Sequence, residues 1–417
     1  MKITLINTSE YSGGAAIACK RLFNALRNKG IDVNFIVQEN KSINDRIINI
    51  NSPKLSNYKN LLYLAIEKFH FWFYEKNKQI RFNFSTALTG KRFSNLPLIK
   101  QSNIIHLHWF NQGMMSLSGF KKIASNKNII WTLHDMWAFT GGCHYNADCN
   151  NFKNECGNCK FLKSQKANDL SHKQFLKKQQ IYNNCNITFV TCSEWLAGEA
   201  KKSKLLKNCK VINIPNPINT NDFKPISKYE SRRKFSIDET KYVILFGAAS
   251  LKDKRKGLKY FIESLNILKS KNEINESEII IAYFGKANDE LVNMTPFKTV
   301  NLGYLSEFND LAKMYSASDV YVTTALQDNL PNTVMESLSC GTPVVAFEIG
   351  GIPQMVENKY NGYLAKSESS QEIAEGIKWL YFADRQKISD NSRNKVLYNF
   401  SEEIISQKYI ELYSTFD

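Results

Sequence analysis

The sequence predicts an α/β fold of two Rossmann-like domains, each a parallel sheet layered with helices. Three observations lead there. At 417 residues the chain exceeds one ordinary core and suits two domains of roughly 200 residues. Short apolar, β-branched runs alternate with helical patterns, as βαβ units require. A helix-hostile connector, Pro215-Asn216-Pro217-Ile218-Asn219, lies near the midpoint. The expected domains are therefore 1–215 and 216–417.

The first domain opens as strand, loop, helix and strand. Lys2–Asn7 precedes Gly13-Gly14, a helical run to Arg27 stopped by Gly30, and Val33–Val37. The glycine pair lets backbone approach a ligand closely, or simply serves a turn. It lacks the GxGxxG spacing of a dinucleotide site. A run from Leu61 to Arg81 sets Phe69, Phe71, Trp72, Phe73 and Tyr74 among Lys59, Lys68, Lys76 and Lys78. That pattern fits an interfacial helix, or aromatic residues packed in a core. Strands follow at Ile104–Trp109 and Asn128–Asp135, with His106 and His108 on one face and His134-Asp135 at a strand end.

An insertion at about 141–162 then carries Cys143, Cys149, Cys156 and Cys159, spaced C-x5-C-x6-C-x2-C with His144 adjacent. The Cys156–Cys159 spacing suits a zinc turn, and four thiolates would close a structural site. Disulfides and free thiols are the alternatives. Strands Ile187–Ser193 and Lys210–Ile214 complete the domain.

The second domain restarts at Tyr242–Gly247, followed by a loop with Lys252, Lys254, Arg255 and Lys256, then Gly257 and an amphipathic helix. Clustered cations at a helix start suit a diphosphate, though a solvated basic loop looks the same. Strands at Ile279–Phe284, Thr299–Leu302 and Val320–Thr323 lead to the densest stretch, Leu326–Val356. Asp328 and Glu336 stand eight apart across Asn329-Leu330-Pro331-Asn332-Thr333 and the start of a short helix. Pro331 suits a helix start. The N–H groups there and the positive dipole end suit phosphate, and carboxylates at either end suit sugar hydroxyls. Strand Thr342–Phe347, the Gly350-Gly351 turn and helices at 371–383 and 401–416 close the chain.

Formal charge is +16, and it is uneven: residues 1–215 carry +19 and residues 216–417 carry −3. No nucleic-acid module accompanies the basic half, so no nucleic-acid partner is expected. The excess suits anionic lipid headgroups, or reflects a Lys/Ile/Asn-rich composition. No apolar run is long enough to span a membrane, and no signal peptide is visible at the N-terminus. A cytoplasmic protein follows, peripheral to the inner membrane if the basic face meets lipid.

Leu326–Val356 resembles the signature of the retaining, nucleotide-sugar-dependent glycosyltransferases of family four. Their pattern is an acid, seven residues, Glu, a small-residue helix and Gly-x-Pro-Val; Asp328 and Glu336 match the acids, although the family more usually places Glu first. The resemblance implies the GT-B fold, with the two Rossmann-like domains facing across a cleft and the last helix crossing back to the first. It implies transfer from a nucleoside diphosphate sugar to a glycan or lipid-linked acceptor, in bacterial surface polysaccharide assembly. Gly13 and Gly14 match the family's N-terminal glycine loop, His134 its functional His, and Arg255-Lys256-Gly257 its phosphate-binding Arg-Lys-Gly. Catalysis would involve His134, Asp328 and Lys256. Lys256, Arg255 and the amides of Leu330–Thr333 would hold the diphosphate, Asp328 the sugar and Glu336 the ribose. No catalytic metal is expected. The strand glycine Gly247 is followed by Ala248 where many members have Arg. The alternatives are a sugar-nucleotide epimerase of the same fold and a non-enzymatic, zinc-stabilised binder of anionic lipid or polymer.

Overall fold

A computed structural model describes residues 1–50, 56–250, 253–286 and 294–416. Packing divides the chain into two compact units: Met1–Pro217 together with Ile405–Asp417, and Ile218–Ile404.

Among the described residues, the sheet of the first unit has seven strands: β1 (Lys2–Ile6), β2 (Asp32–Val37), β3 (Ile47–Asn49), β4 (Ile104–Leu107), β5 (Asn128–Leu133), β6 (Ile187–Thr191) and β7 (Lys210–Asn213). They run in the order β3-β2-β1-β4-β5-β6-β7, every neighbouring pair parallel. Helices cover both faces, which is why central strands such as β4 are buried along their whole length. Strand order reverses between β1 and β4, and the carboxyl ends of such a pair form the usual ligand crevice. The backbone there is knitted: the Thr8 N–H donates to Trp109 O at 2.8 Å and the Trp109 N–H to Asn7 Oδ1 at 2.9 Å. Helix Gly14–Asn28 follows β1 directly and buries Ala18, Leu22, Phe23 and Leu26.

The last helix, Glu402–Ser414, lays Ile405, Tyr409, Leu412 and Tyr413 into the core formed by Ile3, Leu5, Leu22 and Phe23. Its hydroxyls end buried bonds: Tyr413 Oη meets His106 Nδ1 at 2.7 Å, and Tyr409 Oη meets Thr132 Oγ1 at 2.9 Å. Removing the Tyr413 hydroxyl would leave the buried His106 Nδ1 unpaired, whereas Thr132 Oγ1 would keep His106 Nε2 at 2.8 Å if the Tyr409 hydroxyl were lost.

In the second unit, β8 (Tyr242–Ser250), β9 (Ile279–Lys286), β10 (Lys298–Asn301), β11 (Val320–Thr323), β12 (Val344–Phe347) and β13 (Gly362–Ala365) form a parallel sheet in the order β10-β9-β8-β11-β12-β13. Its reversal lies between β8 and β11. Strand β8 runs past the expected Gly247 because a register shift there lets pairing with β9 continue. Helix Arg385–Asn399 has no counterpart among the expected elements, for it buries only Ile388, Ser392 and Val396 and shows little apolar periodicity.

Candidate active site

The second unit gathers its candidates at the β8/β11 reversal. After β8, residues Lys254–Lys256 make one 3-10 turn capped by Asp253, and Gly257 takes a left-handed conformation at φ 66° before helix Leu258–Lys271. A side chain at Gly257 would bring its Cβ within 1.9 Å of Thr324 O, so glycine is required. Thr324 Oγ1 donates to Gly257 O at 2.9 Å and the Leu326 N–H to Arg255 O at 2.7 Å. These bonds clamp the basic turn against the loop after β11.

That clamp brings Lys256 Nζ to 2.9 Å from Asp328 Oδ2. Asp328 foremost, and its hydrogen bond, hold the Lys256 ammonium above its ordinary pKa despite burial. Lys256 is therefore a permanent cation beside the start of helix Asn332–Ser339. Pro331 gives that helix no side-chain cap. Asp328 Oδ1 accepts the Asn329 N–H at 3.0 Å, and Gly351 N–H donates to Asn329 O at 2.6 Å. Gly350 packs so closely that a Cβ there would lie 1.9 Å from Asp328 O. Leu330 and Asn329 are buried behind this loop, and Asn332 and Thr333 form the first turn of the helix.

Two assignments look different in three dimensions. The Arg255 guanidinium is forked onto Asp253, at 3.1 Å from Nε to Oδ1 and 2.7 Å from Nη2 to Oδ2. Both cations are thus ion-paired, Arg255 within its own turn and Lys256 across to the loop after β11. Glu336 lies on the inner face of its helix, 6% exposed, and accepts a bond from Tyr315 Oη at 3.1 Å. Neither Asp253 nor Tyr315 was picked out from sequence; the Asp-x-Arg spacing was the available signal for the first, and none existed for the second. Lys252 and the side chain of Lys59 lie outside the described residues.

In the first unit, Gly13 is exposed with φ 92° and precedes Gly14, the first residue of its helix. Space around Gly13 is open. The preceding loop is tied down by Glu10, whose carboxylate accepts from Lys20 Nζ at 2.6 Å and from the Lys41 and Ser42 amides at 2.9 and 3.2 Å. Burial alone would raise its pKa, but these donors outweigh it and hold the group at about 2. Sequence reasoning missed Glu10, because its partners are up to 32 residues away.

His134 is half-buried at the end of β5, and its Nε2 meets His108 Nδ1 at 2.9 Å. The His106 and His108 rings lie 4.5 Å apart on one face, as strand alternation requires. Burial lowers all three imidazoles, His106 to about 3 and His134 to about 4. They are neutral at pH 7, so His134 stands there as an uncharged imidazole. Beside it Asp135 stays ionised: burial would raise it, but His144, the Trp137 amide and Trp109 hold it down. Ser85 Oγ, His144 and Asp135 stand in line at 3.0 and 2.7 Å. The order matches a nucleophile–base–orienter relay, yet Ser85 is 2% exposed, so the chain acts as an internal tie.

The zinc expectation is corrected. Cys143, Cys149, Cys156 and Cys159 line one small pocket with Phe84, Phe152 and Phe161, and all four are free thiols. No group of three or more His, Cys, Asp or Glu among the described residues is arranged to hold a metal ion. The turn at Cys156–Cys159 directs its amides elsewhere: Gly157 N–H to Ser171 Oγ, Asn158 N–H to Lys166 O and Cys159 N–H to Asp169 Oδ2. Burial raises the Cys143 thiol to about 11 and Cys159 to about 12, so both are protonated.

Comparison with known proteins decides the family. Residues 12–222, just over half the chain, match the model described as Glycosyltransferase Family 4, and residues 227–395 match Glycosyl transferases group 1. The chain is a family 4 glycosyltransferase. It is similar to WcaC of Escherichia coli K12, provisionally named a colanic acid biosynthesis glycosyl transferase, at 21% identity over 90% of this chain and 92% of that protein. It is 27% identical to the Campylobacter jejuni N,N'-diacetylbacillosaminyl-diphospho-undecaprenol α-1,3-N-acetylgalactosaminyltransferase, over 47% of this chain and 52% of that one. Anabaena HepE, solved with UDP-glucose, superposes over the whole of both chains at TM-score 0.61 and 15% identity. The glycosyltransferase has the GT-B fold. Family 4 is a retaining family.

Proposed function

We propose that this family 4 glycosyltransferase moves a sugar from a UDP-sugar to a hydroxyl of a lipid-linked or glycan acceptor in bacterial surface polysaccharide synthesis. The observation behind it is the Lys256–Asp328 pair, 2.9 Å apart at the β8/β11 reversal beside an uncapped helix start. A diphosphate fits this position because it meets a fixed cation, helix N–H groups and the positive end of the dipole together. The relatives' names support the choice: HepE is solved in complex with UDP-glucose, and the Campylobacter enzyme is named for a diphospho-undecaprenol-linked sugar.

In the reaction the bond from the anomeric carbon to the diphosphate oxygen breaks with its electrons on the diphosphate. A bond from the acceptor oxygen forms on the same face of the sugar, and the acceptor proton leaves with the nucleoside diphosphate. Lys256, with Arg255 second, stabilises the departing charge, together with the amides of Leu330, Asn332 and Thr333. Asp328 accepts from sugar hydroxyls once the diphosphate takes over Lys256, and Glu336 accepts from the ribose. In the first unit, neutral His134 hydrogen-bonds the transferred sugar, and the Gly13–Gly14 loop offers backbone to phosphate. Positioning and charge stabilisation carry the chemistry, with no covalent nucleophile assigned. The test is a panel of nucleoside diphosphates and their sugars, scored by thermal shift and by nucleotide release. A shift and release with UDP compounds supports the proposal; a response to none of them rejects it.

A further inference from the structure

We infer that helix Ser56–Trp72 and the segment to Phe82 form a docking surface for an anionic lipid bilayer. The helix is mounted with its apolar stripe outward. Leu62, Ile66, Phe69 and Phe73 recur at helical spacing and are exposed, with Leu61, Trp72 and Phe82 beside them. The Phe69, Trp72 and Phe73 rings form their own cluster at 5.1–6.0 Å, open to solvent. The inward face is held by Phe71, stacked on Phe84 at 4.8 Å, and by Glu67, whose carboxylate accepts the Thr86 and Ala87 amides. An apolar face with a carboxylate turned inward is the reverse of a helix seated on a core.

Charge selects the occupant. Between Arg46 and His134 the only acidic residues are Glu67 and Glu75. Both are buried, at 1% and 3%, and Glu75 is neutralised by Arg81. The exposed ionised side chains of this stretch, Lys76 and Lys78, are cationic, and so is exposed Lys163, which donates to Trp72 O at 3.3 Å. Lys68 Nζ lies 4.6 Å from the Phe82 ring centroid, binding the outlying aromatic ring to the same basic rim. Apolar side chains among cations, in a stretch that exposes no anion of its own, match the boundary between anionic headgroups and acyl chains. No described helix is long and apolar enough to cross a membrane, so the contact is with the surface.

The test is co-sedimentation of the full chain with phosphatidylglycerol-containing or pure phosphatidylcholine vesicles. It compares the wild type, Phe69→Ser/Trp72→Ser/Phe73→Ser and Lys76→Glu/Lys78→Glu. Binding is expected to anionic vesicles only, to weaken with salt, and to fall more than tenfold in the aromatic variant. Each lysine accounts for about fivefold, so the double reversal also abolishes binding. The UDP thermal shift checks that both variants stay folded; its absence in the wild type would reject the donor site without touching the vesicle result. Equal binding to neutral vesicles, no binding, or undiminished binding by either variant overturns the inference. So does a vesicle-free dimer that the aromatic variant dissociates, which would make the face a protein contact.

Discussion

Replacing Lys256 by alanine probes the donor site most sharply, because the structure sets both the loss and its rescue. The wild-type site holds a cation and an anion 2.9 Å apart, one-third and one-fifth exposed. A pair this open contributes about 0–1 kcal/mol to folding, so the melting point should fall by less than about 4 °C. Nucleotide binding should suffer far more. A hydrogen bond between charged partners is worth roughly 1.5–3 kcal/mol, or about 10- to 150-fold in affinity. The variant also leaves Asp328 unopposed: at about 6 Å from a phosphate charge, its repulsion is roughly 0.7–3 kcal/mol over effective dielectrics of 80 to 20. Removing that charge as well, in Lys256→Ala/Asp328→Asn, should return about five- to tenfold of the lost affinity. Titration calorimetry of UDP across the four proteins of this cycle measures the coupling directly. Wild-type affinity in Lys256→Ala, or strictly additive losses, would refute the assignment of this pair to the diphosphate.

Glu336→Ala should weaken UDP binding about tenfold while leaving a buried Tyr315 hydroxyl unpaired, so calorimetry and a melting curve should both move. Gly350→Ala should destabilise the second unit by roughly 1–3 kcal/mol and loosen the Asp328 loop, seen as a lower melting point with weaker UDP binding, since φ is 53° and the Cβ collides with Asp328 O. Glu10 has a folded pKa of about 2 against an ordinary 4.5, so its contribution is present above about pH 4.5 and is lost as pH falls toward 2. Wild type should exceed Glu10→Gln by about 2 kcal/mol at pH 7, after discounting for solvent screening, and the gap in denaturant titrations should close in that acid window.

What sequence could reveal followed the range of the interactions. Most strands of both sheets were legible because buried parallel strands write continuous apolar runs, but the three-residue edge strand β3 is too short to write one; the Pro215–Asn219 connector announces itself through proline. The pairing of Lys256 with Asp328 was legible only as two separate motifs; the strand order that joins them across 72 residues was not. Local spacing misled at the cysteines. Cys-x-x-Cys predicts a zinc turn, but Ser171, Lys166 and Asp169 engage that turn's amides, and those residues carry no signal of it in advance. The aromatic run at 61–82 was ambiguous for a related reason. Its periodicity shows that a stripe exists; which way the stripe faces is decided by Glu67 and Phe71, whose partners at 84–87 fix the inner side.

The central claim is retaining transfer from a UDP-sugar, and the stereochemistry of the product tests it most directly. The protein is incubated with each of a set of α-linked UDP-sugars and a diphospholipid-linked sugar acceptor, and the new anomeric centre is read by NMR. An α-linked product is expected with release of UDP, slowed at least tenfold in Lys256→Ala. A β-linked product, or transfer that proceeds undiminished without Lys256, would contradict it.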